Sequence, residues 1–289
     1  MTSIPILTAP ERFVRELPAN YPFNELTETQ AQALANVRKN RLAGIYAGLT
    51  GKPCDNEPAW TDDVCLLKYL RATKWDFEAA VKRLQETMQW RRDFRPTEND
   101  IDSLKPHAAI GGQYYNGFDK LGRPILVLIS RLGSEVKDYD TSLRYSLYTV
   151  EKGIKMMPKG VTQLNVLCDY SGMTMFNGYP LSVTSKFLGI LSRHYPELLG
   201  TLILINPSWY MPVAFTVLGP FIDPVTKAKM RFANPSGAPI EGKTENGTGG
   251  WCNILDIVDA DMLAIEFGGS VPFTFNADIY WKEFLKIRL

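Results

Sequence analysis

At 289 residues, with 45% apolar and 22% charged side chains, the chain is long enough for a large α/β domain with a smaller companion and too apolar to be disordered. Its 32 basic residues nearly cancel 31 acidic ones, so no global field draws it to nucleic acid and any anion site is local. Cys54, Cys65, Cys168 and Cys252 form no C-x-x-C pair and are too few for a disulfide framework, which fits a reducing compartment.

The first residues, MTSIPILTAPERF, lack the basic segment and long apolar run of a secretory signal, and the terminal KIRL is no lipidation box, so the expected location is cytoplasmic. Residues 1–24, with Pro5, Pro10, Pro18 and Pro22, read as an extended arm lying on the domain. A helix is expected from Leu26 to Ala47. The following GLTGKP is not a phosphate loop, because Tyr46 stands at its first glycine position and Pro53 follows Lys52. Thr61 is read as the cap of a helix through Val64, Leu67 and Leu70. Asp76 caps another whose apolar stripe is Phe77, Val81, Leu84 and Met88, ending in Arg91, Arg92 and Arg95. Cations favoured at a helix C-terminus explain that cluster more simply than an anion site does.

From residue 112 the period changes. GQYYNGF, a turn at Asp119–Gly122 and ILVLIS form a hairpin; Asp140 starts a helix that ends near Pro158. The strand QLNVLCD (163–169), a helix from Pro180 to His194 and the strand TLILIN (201–206) follow. Apolar strands alternating with helices predict a largely parallel, helix-covered sheet. Residues 234–250 read as a surface loop, 259–266 as a short helix, and the aromatic tail FTFNADIYWKEFLKIRL as docked against the body.

The stretch from Leu198 to Ile222 has no charged residue but is broken at Asn206-Pro207, Pro212 and Gly219-Pro220. That excludes a simple bilayer span. The segment MPVAFTVL (211–218) is apolar around most of its circumference, and pattern alone admits both a core helix and a helix covering something greasy. No G-x-S-x-G, H-E-x-x-H or G-x-G-x-x-G is present. A hydrolytic triad of Ser171, His194 and Asp169 carries no motif, so no enzyme activity and no metal site are expected.

KYLRATKWDFEAA, QWRRDF, FDKLGRP, VLCDYSGM, HYPELLG, LINPSW, GPFIDPVTKAKM and EFGG occur in that order over residues 60–270. In these the chain resembles the CRAL-TRIO family, and especially the fungal phosphatidylinositol transfer proteins of the azole-resistance subgroup. The resemblance implies an α/β fold: a helical N-terminal module plus a CRAL-TRIO lobe with a mostly parallel sheet covered by helices, and a deep apolar pocket under a gate helix. Implied domains are the arm (1–24), the helical module (25–105), the lipid-binding lobe (106–270) and a docked tail (271–289).

The resemblance further implies a cytoplasmic, peripherally membrane-associated monomer that exchanges phosphatidylinositol between membranes, with no cofactor beyond the bound lipid. A sterol or another hydrophobic ligand is the alternative cargo. Lys74, Glu197 and Lys229 match its head-group positions, and Thr174 a hydroxyl that contacts lipid phosphate. Lysines neutralise phosphate and a carboxylate accepts hydrogen bonds from inositol. On residue type alone, Lys74 is a surface cation, Glu197 a helix-end charge and Lys229 a dipole partner. Met173, Met175, Tyr114 and Tyr115 are implied pocket residues, with Phe215, Leu218 and Phe221 on the gate, 211–222. Thr73, Leu198 and the strand Ile125-Leu126-Val127 depart from the family pattern, and the last lacks the tyrosine associated with phosphatidylcholine. A haem-binding branch uses the position of Tyr170, so the resemblance leaves haem as a further alternative ligand, although Cys168 stands where that branch has histidine.

Overall fold

A computed structural model describes residues 3–13, 26–54, 57–174, 176–207, 219–235 and 248–289. The chain divides into two compact units: Met1–Val14, Asn99–Gly189 and Leu199–Leu289 form one, and Arg15–Glu98 with Ile190–Leu198 the other.

The second unit is helical. Helices α1 (Glu28–Asn40), α3 (Asp63–Ala72) and α4 (Phe77–Phe94) bury Leu34, Val37, Leu66, Tyr69, Leu70, Leu84 and Met88 against one another, with a short α2 (Glu57–Trp60) before α3. The helix expected over 26–47 ends at Asn40 and passes into a π-turn, Arg41–Ile45. The cap of α3 is Asp62, which accepts from the Cys65 amide at 2.8 Å; Thr61 ends the preceding segment instead. A carboxylate one residue on has the same reach and adds charge at the positive end of the dipole. Asp76 caps α4 as its sequence position indicates. The α4 arginines are paired inside this unit. Arg91 stacks over Trp60, Arg92 makes a two-pronged contact with buried Glu57, and Arg95 pairs with Glu98.

The first unit is mixed α/β around a five-stranded sheet ordered β1-β2-β3-β4-β5: Gln113–Phe118, Pro124–Ile129, Leu164–Asp169, Leu199–Ile205 and Met230–Ala233. β1 and β2 form the expected hairpin; β2 to β5 are parallel. Helices α5 (Ile101–Ala109) and α6 (Tyr139–Met156) pack on each other, α6 also packs on β1 and β2, and α7 (Leu181–His194) links β3 to β4. The tail forms α9 (Ala277–Leu285), which docks on α5 and buries Tyr280, Trp281 and Phe284. Residues 3–13 lie along β1, the Ile6 amide donating to Asn116 Oδ1 and the Gly117 amide to Ile6 O.

Two further boundaries in this unit differ from those read in sequence. Asp138, not Asp140, caps α6. The segment 259–266 makes two 3-10 turns, Ala260–Met262 and Ile265–Phe267, rather than a helix. Gly268 follows at φ 94, and a side chain at Gly269 would meet the Leu263 carbonyl, so this segment is held in a tight reversal. α5 and β5 carried no clear periodic signal: α5 contains Pro106 and β5 is four residues long.

Candidate functional site

Strand alternation sorts the sheet into two faces. Register aligns Leu126, Val166, Leu202 and Met230 across β2–β5, and Leu128, Cys168, Leu204 and Phe232 one pleat on. All eight are apolar or cysteine. The opposite face carries Val127, Ile129, Leu167, Ile203, Ile205 and Ala233, which join the main core with Ile254, Val258, Leu263, Phe267 and Phe273 of the C-terminal segment.

The two faces are covered unequally. On the first, Leu126 is buried at the end where α6 packs, and Met230, Phe232 and Leu204 are buried beside Trp251 and Ile222. Between them Leu128, Val166 and Leu202 keep part of their surface exposed, one on each of three adjacent strands. The part of helix α7 that belongs to this unit repeats the pattern: Leu181, Val183, Phe187 and Leu188 are all half-buried. An amphipathic stripe normally closes over a core. A strip of sheet floor and a helix with unfinished apolar burial are what a ligand of matching apolarity completes.

Polar groups gather at the carboxyl ends of β2–β4, where ligands bind in open α/β sheets. Buried Asp169 pairs with Arg131 at 3.0 Å, and Asn206, held at φ 52, donates to Ser171 Oγ at 2.6 Å. Cys168 Sγ lies 3.2 Å from Ser130 Oγ, and burial pushes its thiol up. Glu266, with Asp169 near it, is raised first by burial and then by that like charge.

Lys229 ends α8 (Pro224–Ala228), whose cap Asp223 is held below the usual carboxylate range by Thr226, against the opposing effect of burial. The Lys229 ammonium is half-buried and donates to Leu199 O at 2.8 Å, which fixes it beside the start of β4. Thr174 is exposed, its amide donating to Asn177 Oδ1 and its hydroxyl accepting from the Phe176 amide; Met173 packs on Gly178. In the helical unit, Lys74 and Trp75 are both left-handed, at φ 54 and 68. Trp75 packs into the helical core and Thr73 bonds back to Tyr69 O and Leu70 O, so Lys74 is thrown outward. Glu197, at φ 56, follows the buried Tyr195-Pro196; among the described residues its carboxylate has no hydrogen-bond or ion-pair partner.

Adjacent strand residues point to opposite faces, and Tyr114 and Tyr115 do so. Tyr115, opposite Leu126, lies on the floor side but is fully buried, its hydroxyl against Gly153 of α6. Tyr114 faces the other way, in an aromatic cluster with Phe273, Phe275 and Tyr280. Phe221 closes a 3-10 turn, Gly219–Phe221. Met175, Phe215, Leu218 and most of the implied gate lie outside the described residues, as does most of the 234–250 loop. The floor residues Leu128, Val166 and Leu202 were not singled out in sequence, although alternate positions of three consecutive apolar strands carry the signal.

The residues of the notional triad have other partners. Ser171 accepts from Asn206, and Asp169 is paired with Arg131. His194 contacts Thr87 Oγ1 at 3.0 Å under the stacked ring of Trp90, and burial, helped by Arg193, Arg83 and Arg91, holds it down at about 4.

The sequence profile of the CRAL/TRIO domain matches residues 110–269, over half the chain, and that of the CRAL/TRIO N-terminal domain matches 49–86. The chain belongs to the CRAL-TRIO family. Among CRAL-TRIO relatives, a CRAL-TRIO domain-containing protein of Schizosaccharomyces pombe is 32% identical over 232 residues, covering 80% of this chain and 21% of the relative. The phosphatidylinositol transfer protein PDR17 of Saccharomyces cerevisiae is 27% identical over 244 residues, 80% of this chain and 64% of its own length. The phosphatidylinositol transfer protein CSR1 of Eremothecium gossypii is 27% identical over 229 residues, 74% of this chain and 48% of the relative. This chain thus spans less than two thirds of each of these relatives. The crystal structure of Sfh5 shares the fold, with a TM-score of 0.58 at 18% identity over 84% of this chain and 95% of that one. Among the described residues no helix is long and apolar enough to cross a membrane.

Proposed function

We propose that this CRAL-TRIO chain binds a phospholipid, with phosphatidylinositol the leading cargo, and exchanges it between membranes without a covalent step. The observation that carries the reading is the unfinished apolar floor of Leu128, Val166 and Leu202, and the half-buried stripe of α7 repeats the same pattern. The relatives named as phosphatidylinositol transfer proteins support the choice of cargo. At about 0.8 kcal/mol per buried methylene, two acyl chains with roughly 30 methylenes gain over 20 kcal/mol in any apolar site, and a bilayer offers about the same. Exchange is therefore nearly balanced, and the barrier is passage through water. A gate over 211–222 that opens at a membrane surface lowers that barrier.

Lys229 is proposed to bind the head-group phosphate. One ammonium proton is committed to Leu199 O, which orients the group and leaves two donors. Thr174 lies past the carboxyl end of β3, at the far end of the parallel strands from Lys229, so its proposed phosphate contact is an alternative to that of Lys229 and not a second contact to the same phosphate. The roles of Glu197 with inositol hydroxyls and Lys74 with phosphate rest on the family likeness, and each is tested by its own substitution.

The floor is tested by filling it. Val166 lies on the central strand with part of its surface open, so Val166→Phe extends into the ligand's volume rather than into packed core. The purified variant should carry less phospholipid than wild type, by mass spectrometry of the extract, with an unchanged or higher Tm. Wild-type lipid content in a folded Val166→Phe protein would remove this face as the binding site.

A further inference from the structure

The turn that leaves β3 holds an aromatic ring almost wholly in solvent. Phe176 is 91% exposed. The turn around it is a built one: Thr174 N donates to Asn177 Oδ1 at 2.7 Å, Phe176 N to Thr174 Oγ1 at 3.2 Å, and Asn177 Nδ2 to Gly172 O at 2.9 Å. It is also fastened to its neighbours. Ser134 N donates to Asn177 O at 3.0 Å, and the Tyr179 and Ser142 hydroxyls lie 3.0 Å apart. A side chain at Gly133 would strike the Tyr179 amide at 2.2 Å, so the two segments touch through backbone.

We infer that this turn is a membrane-insertion element, with Phe176 entering the boundary between head groups and acyl chains of a phospholipid bilayer. The inference rests on the lipid-exchange reading and adds the surface that meets the membrane.

Three features favour a bilayer as the occupant. Among the described residues of the turn, Gly172, Thr174, Asn177 and Gly178 are small or polar and Met173 is folded onto Gly178, so Phe176 projects from them as a wedge and not within a flat apolar patch of the size a protein interface needs. Tyr139, itself exposed, pairs with Tyr179 at 6.5 Å beside the wedge, and tyrosines favour the head-group layer. Exposed Lys137 and Lys186 share this rim, Lys137 bonded to Ser134 O and Lys186 to Asp140. With Glu135, Asp138 and Asp140 also present the rim is close to neutral, so attachment by the ring predicts weak dependence on salt. The side chains leading to the wedge are continuous with the floor: Cys168 lies on it, Tyr170 packs on that cluster, and Met173 follows in the turn.

The test measures flotation of the full chain with phosphatidylcholine–phosphatidylinositol vesicles, alongside lipid extracted from each purified variant. Phe176→Ala should lower vesicle affinity roughly tenfold, as expected for losing one inserted aromatic ring, at low and high salt alike. Phe176→Trp should retain binding. Extracted lipid and Tm should match wild type in both, because the ring supports no internal packing. Equal vesicle affinity of Phe176→Ala and wild type would overturn the inference even with lipid in the extract. Loss of a dimer on Phe176→Ala, seen by light scattering, would overturn it in favour of a second copy of the chain. Absence of extractable lipid from every variant would instead count against the lipid-exchange reading itself.

Discussion

Replacing Lys229 separates a head-group contact from a packing contact. Lys229→Met keeps the aliphatic stem and removes the ammonium that donates to Leu199 O at 2.8 Å. Losing that half-buried bond costs stability of about 1 kcal/mol, a Tm drop of roughly 2–4 °C for a domain of this size. A charge-assisted bond from the same ammonium to a phosphate contributes about 1.5–3 kcal/mol, which converts to roughly 10- to 150-fold in affinity. The predicted outcome is therefore lopsided. Transfer of labelled phosphatidylinositol between vesicles should fall by that factor, while binding of an uncharged diacylglycerol or sterol should change less than about threefold, the share left to a small loss of stability. Thermal unfolding of the same sample supplies the control. Equal losses for charged and uncharged lipids would refute the reasoning and reduce Lys229 to the partner of Leu199.

Two further substitutions test the packing around the site. A methyl group at Gly153 would lie 1.9 Å from the Tyr115 hydroxyl, so Gly153→Ala overpacks α6 against β1 and should cost about 1–3 kcal/mol in urea unfolding. Combined with Tyr115→Leu the loss should be smaller than the sum of the two single losses; strict additivity would contradict the contact. His194, held at about 4 in the fold and near 6.5 when unfolded, binds a proton more readily in the unfolded chain between those values. Stability should therefore fall by up to about 1.4 kcal/mol per unit as pH drops from 6.5 towards 4. The margin of wild type over His194→Gln should shrink across that window, and a constant margin would show that the buried imidazole does not drive the dependence.

Much of the architecture was legible because it rests on period and punctuation. Alternating apolar strands and amphipathic helices gave the parallel sheet, and the glycine turn gave the hairpin. What was not legible depended on tertiary placement. The choice between Thr61 and Asp62 as cap turns on where α2 ends, one residue earlier. The 259–266 segment has helical spacing but folds as two tight turns, because Val271 and Ser270 take backbone bonds with Leu263 and Ala260 that a helix would need. β5 is four residues long and obtains its order by pairing with β4.

The candidate site divides in the same way. The motifs around Lys74, Glu197 and Lys229 marked residues that prove to sit in left-handed turns or at a helix end, where a short sequence fixes the backbone. The floor was less visible. Leu128, Val166 and Leu202 look like any strand residues, and only their incomplete burial distinguishes them from Leu126 and Leu204. Tyr114 and Tyr115 are adjacent in sequence but belong to opposite faces, a division that the register of β1 with β2 decides.

The central claim is that the apolar face of the sheet holds a phospholipid. Native mass spectrometry of the purified chain, followed by identification of its extracted lipid, tests it most directly. The account predicts a stoichiometric phospholipid with phosphatidylinositol enriched over its abundance in the source membranes. A folded chain that carries no lipid, and takes none from phosphatidylinositol vesicles, would contradict it.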